Sequence, residues 1–199
     1  MVVYDKTRAN PTVENVEEAF SLFVAHKCDC LIAFGGGSAM DCAKAVGARA
    51  AYPKRSLNGL KGNLRIFRRL PPLFAVPTTA GTGSEVTLTA VITDAAKKYK
   101  YTMNSFPLIP RYAVLDAKVT YTLPKHLTAT TGMDALTHAV EAYIGRSTSK
   151  ETRRHSGDGK ACGSGRESFV SRTHINGCKA VRAFLLRGIR RRKWRKLEL

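Results

Sequence analysis

The strongest constraint on the fold is a short apolar run that meets three consecutive glycines and then a helical pattern. Residues 30–34 (Cys-Leu-Ile-Ala-Phe) form this run, which predicts a buried parallel strand. Gly35-Gly36-Gly37-Ser38 ends the strand, and apolar residues return at helical spacing over 39–51. Another helical pattern, with Thr12 as its cap, precedes the strand. Helix, strand, glycine loop and helix in this order predict an α/β layer with a ligand at the carboxyl end of a strand.

The rest of the chain up to about residue 154 continues this alternation of helices and strands. We expect strands over 73–77 and 113–116, a hairpin or strand pair over 87–93 and 98–103, and a helix over about 127–144. Residues 52–70 are basic and irregular, which indicates a surface excursion. Beyond about Arg154 no period is sustained, and the chain ends in a basic block over 190–196.

The glycine loop is the first candidate binding site. Glycines let the backbone approach a phosphate, and the following helix presents free N–H groups and a partial positive charge. Ser38 can add a hydroxyl, and Asp41 is placed in the first helical turn. The segment is neither the GxGxxG fingerprint nor a P-loop. A phosphate site is favoured over a tight turn without a ligand.

Two further motifs follow. The segment Pro77-Thr78-Thr79-Ala80-Gly81-Thr82-Gly83-Ser84-Glu85 can hydrogen-bond a sugar or phosphate, although an ordinary connection is equally compatible with it. Asp134 and His138 are four residues apart on a predicted helix, so they share a face. A carboxylate and an imidazole at that spacing can chelate a divalent metal. Spacing alone favours the simpler interpretation, a helix-stabilising aspartate and a core histidine.

The charge is divided unevenly along the chain. Residues 146–199 hold 16 Lys and Arg against 4 Asp and Glu, and thus carry +12 of the net +18. The block over 190–196, with Trp194, could bind nucleic acid, but no recognition motif accompanies it, so a solvated or artefactual charge run is preferred. No apolar run is long enough to span a membrane and no signal peptide is evident, which predicts a cytoplasmic protein. The five cysteines form no CxxC pair, and Cys28-Asp29-Cys30 is interpreted as the entrance to the strand rather than a metal site.

Taken together and in order, the motifs resemble the iron-containing (group III) alcohol dehydrogenases over about residues 1–154. The matching segments are Asn10-Pro11-Thr12, GGGS-x-x-D-x-x-K from Gly35 to Lys44, PTTAGTGSE from Pro77, Val91-Ile92-Thr93-Asp94, Pro110-x-Tyr112-Ala113-Val114-Leu115-Asp116, and GMDALTHAVEAY from Gly132. Glycerol dehydrogenase and dehydroquinate synthase share the GGGS region. The PTTAGTGSE and GMDALTHAVEAY segments favour the alcohol dehydrogenase branch.

The resemblance implies an α/β protein: a partial dinucleotide-binding, Rossmann-like parallel-sheet domain over 1–123 and the first helix of an all-helical iron-binding domain over 124–154. It implies an oxidoreductase that moves hydride between NAD or NADP and a small primary alcohol or aldehyde. The implied cofactor-binding residues are Gly35, Gly36, Gly37, Ser38, Asp41, Thr78, Thr79, Thr82 and Lys100, with Lys97 and Lys98 as rivals of Lys100. Asp134 and His138 are the implied ligands of Fe(II), with zinc as the alternative. Members of the family form homo-oligomers.

The sequence departs from the family pattern at both ends. It begins close to the strand that precedes the Asn-Pro-Thr turn, and the two further metal-binding histidines of the family have no counterpart in its later part. Neither His155 nor His174 lies in the expected motif. We hypothesise that residues 155–199 are an unrelated, irregular basic tail produced by a shift of reading frame. The alternatives to a fragment of an active enzyme are a non-catalytic nucleotide-binding remnant or the product of a decayed gene, and, less favoured, a nucleic-acid-binding protein.

Overall fold

A computed structural model describes residues 1–146 and 149–158 of the chain. Its helices and strands are α1 (Val13–Ala25), β1 (Leu31–Gly35), α2 (Gly37–Ala51), β2 (Gly62–Asn63), β3 (Leu73–Pro77), β4 (Thr89–Asp94), β5 (Tyr99–Asn104), β6 (Tyr112–Ala113), α3 (Lys125–Ile144) and α4 (Lys150–Asp158). They belong to two units, one made of residues 1–77 and 87–115 and the other of residues 78–86 and the described residues from Asp116 onward. The interpretation of residues 159–199 as an irregular tail lies outside the described residues.

The first unit contains the parallel sheet that the sequence predicts. Its strand order is β1-β3-β6, and the register runs from Leu31 opposite Leu73 to Gly35 opposite Pro77. The strand β1 is not fully buried as expected, because it lies at the edge of this sheet. Its side chains Ile32 and Phe34 are 61% and 64% exposed. The predicted strand over 113–116 is also shorter, ending as β6 at Ala113.

A second small sheet in the same unit has the order β2-β5-β4. The antiparallel pairing of β4 with β5 confirms the predicted hairpin. The strand β2 pairs in parallel with β5 inside the segment expected to be only a surface excursion. That expectation is wrong in part, because Leu57, Leu60 and Ile66 of the segment are buried.

The core of this unit lies between α1, α2 and the buried face of the hairpin. Its members include Val16, Val46, Ile92 and Met103, all at most 2% exposed. Thr12 caps α1 as predicted: its hydroxyl accepts the Asn15 N–H at 3.3 Å, and the Asn15 amide oxygen accepts the Thr12 N–H. A cap of this kind contributes about 1 kcal/mol to helix stability.

The second unit contains the long helix α3, which confirms the predicted helix and begins two residues earlier than expected. The helix α4 was not predicted. The expectation of irregular structure from residue 155 is therefore wrong for 155–158, the last turn of α4. Within the described ranges, no helix is long and apolar enough to cross a bilayer.

Candidate functional site

The turn between β1 and α2 is shaped by its glycines. Gly36 is the N-cap of α2, and Gly37 is its first residue. Gly35 has a φ of 151°, and a Cβ added there would lie 2.8 Å from the Cβ of Ala39. A side chain at position 35 would therefore meet both backbone strain and a steric clash. The chain makes its sharp strand-to-helix turn at this point.

The start of α2 offers unused hydrogen-bond donors. The N–H groups of Ala39 and Met40 donate to the Gly36 carbonyl at 3.1 and 3.2 Å. No described residue accepts from the N–H groups of Gly37 or Ser38, as expected for a first helical turn. Two free amides and the positive end of the helix dipole suit an anion such as a diphosphate.

Asp41 differs from expectation in its position along α2 and in its hydrogen-bond partner. It lies beyond the first turn of α2, which carries no acidic residue. Its carboxylate accepts the Val91 N–H of β4 at 3.1 Å. This contact joins α2 to the hairpin, so the position of Asp41 in the first turn was predicted wrongly, and its role towards a cofactor stays a prediction.

Asn10 connects two of the predicted cofactor residues, a role that the sequence analysis did not assign. Its N–H donates to the Ser38 hydroxyl at 3.2 Å, and its side-chain oxygen accepts from the Lys100 ammonium at 2.9 Å. Asn10 has a φ of 56°, a left-handed conformation that asparagine tolerates better than most residues. The Asn-Pro turn in the sequence is the signal for this conformation, but nothing in it reveals the two partners.

The threonine-rich loop lies in the second unit together with α3. The Thr82 hydroxyl accepts the Ser84 N–H at 3.3 Å. The Thr79 hydroxyl oxygen is buried and has no hydrogen-bond partner among the described residues, while Thr78 is half-buried. Gly81 lies so close to α3 that an added Cβ would overlap the Thr131 carbonyl. The loop is thus packed on α3 and keeps a buried hydroxyl available to a further group.

Lys44 is a buried residue of the GGGS-x-x-D-x-x-K motif to which the sequence analysis gave no role. It is 1% exposed, and its ammonium donates to the Thr87 carbonyl, the Thr87 hydroxyl and the Thr89 carbonyl at 2.9–3.0 Å. These bonds hold the chain just after the threonine-rich loop. The available sequence signal was a lysine among the alanines of an otherwise apolar helix face.

Asp134 and His138 lie one turn apart on α3, on one face as their spacing requires. The Asp134 Oδ1 and His138 Nε2 atoms are 3.8 Å apart, and the side chains are 45% and 53% exposed. Metal–ligand distances near 2.1 Å place neighbouring ligand atoms about 3.0 to 3.4 Å apart, so a small side-chain rotation would bring both onto one ion. In the described part of the chain, no cluster of three or more candidate ligands exists. The pair fits half of a metal's coordination shell, and its ligand role stays a prediction.

Comparison with known proteins decides the family. The family model for iron-containing alcohol dehydrogenases matches residues 1–117, more than half of the chain. The chain belongs to the iron-containing alcohol dehydrogenase family. This confirms the resemblance drawn from the sequence motifs.

Individual members of the iron-containing alcohol dehydrogenase family are similar over most of this chain but are longer. The choline dehydrogenase of Bacillus subtilis is 41% identical over 145 residues, which are 72% of this chain and 36% of that protein. The lactaldehyde reductase of Escherichia coli is 43% identical over 148 residues, 72% of this chain and 38% of that protein. The chain thus spans little more than a third of the length of these relatives.

Solved structures of the family confirm the α/β fold. A 1,3-propanediol oxidoreductase superposes with a TM-score of 0.83 at 34% identity, covering 92% of this chain and 50% of that one. A sulfoacetaldehyde reductase from Bifidobacterium kashiwanohense, solved in complex with NAD⁺, gives a TM-score of 0.78 at 27% identity, covering 91% and 51%. The chain therefore spans about half the length of these structures.

Proposed function

We propose that this chain carries the nucleotide-binding core and half of the metal site of an iron-dependent alcohol dehydrogenase. The reaction would transfer hydride between a small primary alcohol or aldehyde and NAD or NADP. The observation that carries the proposal is the glycine turn at the start of α2, with two amide donors and no acceptor for them among the described residues. It is supported by the family to which the chain belongs.

The first unit would bind the cofactor diphosphate. The N–H groups of Gly37 and Ser38 donate to its oxygens, while Gly35 and Gly36 keep side chains away from it. Lys100, held by Asn10 at 2.9 Å, would add a positive charge for the nucleotide. Asp41 supports this site by fixing α2 to β4.

The threonine-rich loop and α3 of the second unit carry the remaining proposed cofactor and metal residues. Thr78, Thr79 and Thr82 would donate or accept hydrogen bonds with the cofactor, and the buried Thr79 hydroxyl is best suited because it lacks a partner. Asp134 and His138 would hold Fe(II), or zinc, through a carboxylate oxygen and an imidazole nitrogen. A metal bound there supplies Lewis acidity to the substrate oxygen.

A charge change at the N-cap tests the diphosphate site. Gly36 has a φ of −81° and a ψ of −169°, a backbone that other residues adopt, and both Asp and Ser are good N-cap residues. We expect Gly36→Asp to weaken NAD⁺ binding at least tenfold more than Gly36→Ser in titration calorimetry, because only the aspartate repels the diphosphate. Equal NAD⁺ affinity of the two variants would contradict the proposal.

A second measurement separates an active enzyme from a non-catalytic remnant. NADH formation is followed with Fe(II), NAD⁺ and a series of short primary alcohols and diols, for the unchanged chain and for Asp134→Asn and His138→Gln. Turnover that both substitutions abolish supports the enzyme. Saturable NAD⁺ binding without turnover would leave a nucleotide-binding remnant.

A further inference from the structure

The segment of residues 52–70, called here the basic segment, carries an unbalanced positive charge. No Asp or Glu occurs anywhere between Asp41 and Glu85. The exposed cations of the basic segment are Lys54, Arg55, Lys61, Arg65, Arg68 and Arg69. Within the described part of the chain, none of these six side chains forms a salt bridge to a carboxylate. Their charge is therefore directed to solvent or to a partner.

The basic segment is held firmly on the hairpin. Leu57, Leu60 and Ile66 are at most 1% exposed and anchor it in the core. The Leu64 N–H donates to the Asn104 carbonyl at 2.7 Å, and the Ile66 N–H donates to the Ser105 hydroxyl at 3.2 Å. Cations on a fixed backbone lose less conformational entropy on binding than cations on a free loop.

Tyr52 organises part of this charge. The guanidinium carbons of Arg55 and Arg68 lie over its ring, at 5.4 and 5.0 Å from the centroid. Its hydroxyl accepts the N–H groups of Phe67 and Arg68 at 2.9 and 3.0 Å. Burial alone would raise the pKa of Tyr52, but these two donors and the nearby guanidinium groups lower it. One aromatic ring thus holds two arginines close together and fixes the backbone at Phe67.

Phe67 supplies an apolar surface among the cations. It follows the buried Ile66, precedes Arg68, and is 76% exposed. Proteins bind single-stranded nucleic acids with exposed aromatic rings beside cations that are not neutralised by carboxylates: the cations contact phosphates and the ring stacks on a base. A duplex offers no free base face on which this ring could stack.

We propose that the basic segment binds single-stranded nucleic acid. Lys61, Arg65 and Arg69 contact the phosphates, and Phe67 stacks on an unpaired base. The basic segment shares no residue with the proposed cofactor and metal sites, so this binding is separate from the proposed dehydrogenase site.

The test is fluorescence anisotropy with a labelled 15-nucleotide oligouridine at several salt concentrations, using the full-length chain. The triple variant Lys61→Gln, Arg65→Gln, Arg69→Gln is compared with a matched variant, Lys98→Gln, Lys118→Gln, Lys125→Gln, which removes the same charge from exposed lysines elsewhere. Both are also made with the cations of residues 190–196 changed to Gln, which isolates the basic segment from the tail.

Of the two triple variants, we expect only Lys61→Gln, Arg65→Gln, Arg69→Gln to weaken binding. It should also reduce the magnitude of the slope of log K against log salt by about 2. Phe67→Ala is expected to weaken binding about fivefold or more without changing that slope. In the unchanged chain, oligouridine should protect Lys61 but not Lys98 from acetylation, a readout that does not depend on variants that fold.

Three results would overturn the proposal. These are equal loss of affinity in the two triple variants, equal affinity for a duplex of the same length, or complete competition by polyglutamate with no effect of Phe67→Ala. The last result would indicate a surface for acidic proteins instead.

Discussion

Single polar residues join α2 to the hairpin and to the chain just before it through part-buried hydrogen bonds. Asp41 accepts the Val91 N–H, and Lys44 donates three hydrogen bonds to Thr87 and Thr89. A buried ammonium is costly unless its hydrogen bonds are made, so Lys44 fixes the chain at Thr87 strongly. The two charged residues of the GGGS-x-x-D-x-x-K motif therefore have a structural task that is independent of a cofactor.

Replacing Lys44 by Met tests this task. The substitution keeps the aliphatic chain but leaves the Thr87 and Thr89 carbonyls without their donor. We expect the free energy of unfolding to fall by about 2 kcal/mol or more, measured by urea denaturation. The exposed Lys98→Met is the control and should change stability by less than about 0.5 kcal/mol. Equal stability of the two variants would show that the Lys44 bonds contribute little.

The ionisation of Tyr101 should make the free energy of unfolding depend on pH in the alkaline range. Burial first, then the nearby carboxylates of Asp94, Glu17 and Glu14, raise its pKa to about 12 from an ordinary value of 10.0. Between these pH values the unfolded chain ionises this tyrosine while the folded chain keeps its proton. The free energy of unfolding should therefore be unaffected below pH 10 and fall by about 2 kcal/mol as the pH rises to about 12.

The variant Tyr101→Phe isolates this contribution. It also removes a buried hydroxyl that has no partner among the described residues, so its stability at pH 8 should match that of the unchanged chain or exceed it. The two urea midpoints should diverge above pH 10, with the variant more stable. Parallel curves from pH 8 to 12 would contradict the assignment.

Elements with a strong local pattern were predictable from the sequence. The strand β3, the hairpin and the three helices α1, α2 and α3 all follow from apolar periodicity and turn residues. The strand β2 was not predictable, because two residues pair only after β5 is in place. Exposure of Ile32 and Phe34 was also missed, since an apolar run does not reveal whether its strand lies at a sheet edge.

The close approach of Gly81 to α3 can be used to test whether the threonine-rich loop packs on this helix. Gly81 and Gly83 both have positive φ, but only at Gly81 would a Cβ overlap the backbone of Thr131. We expect Gly81→Ala to raise hydrogen exchange in residues 78–86 and in the first half of α3. The matched Gly83→Ala should destabilise the chain only by the cost of placing an alanine at positive φ, and it should raise hydrogen exchange less than Gly81→Ala. Equal exchange in both variants would mean that the loop is not packed on α3.

At the scale of the whole molecule, large apolar side chains remain on the surface. Ile32 and Phe34 of the edge strand are more than 60% exposed, as are Met133 and Ile144 of α3. Apolar surface beside an open strand edge promotes association between chains. We therefore expect the chain in isolation to associate through these exposed apolar side chains.

Lysines placed on β1 should reduce this association. We expect Ile32→Lys with Phe34→Lys to increase the monomer fraction in sedimentation velocity at a given concentration. The control, Val3→Lys with Val24→Lys, adds the same charge at exposed valines that lie outside the strands. An equal gain of monomer in both variants would attribute the effect to charge alone.

The candidate site was predictable in its residues more than in its contacts. Local sequence pointed to residues 35–38 as a candidate site, whereas the threonine-rich loop and the Asp134–His138 pair became candidates only through the family resemblance. The roles of all these residues stay predictions. The Asn10 bridge between Ser38 and Lys100 spans 90 residues of sequence from end to end, and the bonds of Asp41 and Lys44 cross from α2 to β4. Such contacts depend on the packed fold, which local spacing does not encode.

The central claim is that the glycine turn binds a dinucleotide's diphosphate and that α3 binds iron. The most direct measurement is diffraction at the iron absorption edge from crystals of the chain grown with Fe(II) and NAD⁺. We expect an anomalous peak about 2.1 Å from the ligand atoms of Asp134 and His138, and diphosphate density on the Gly37 and Ser38 amides. Iron bound to other residues, or a diphosphate bound away from the start of α2, would contradict it.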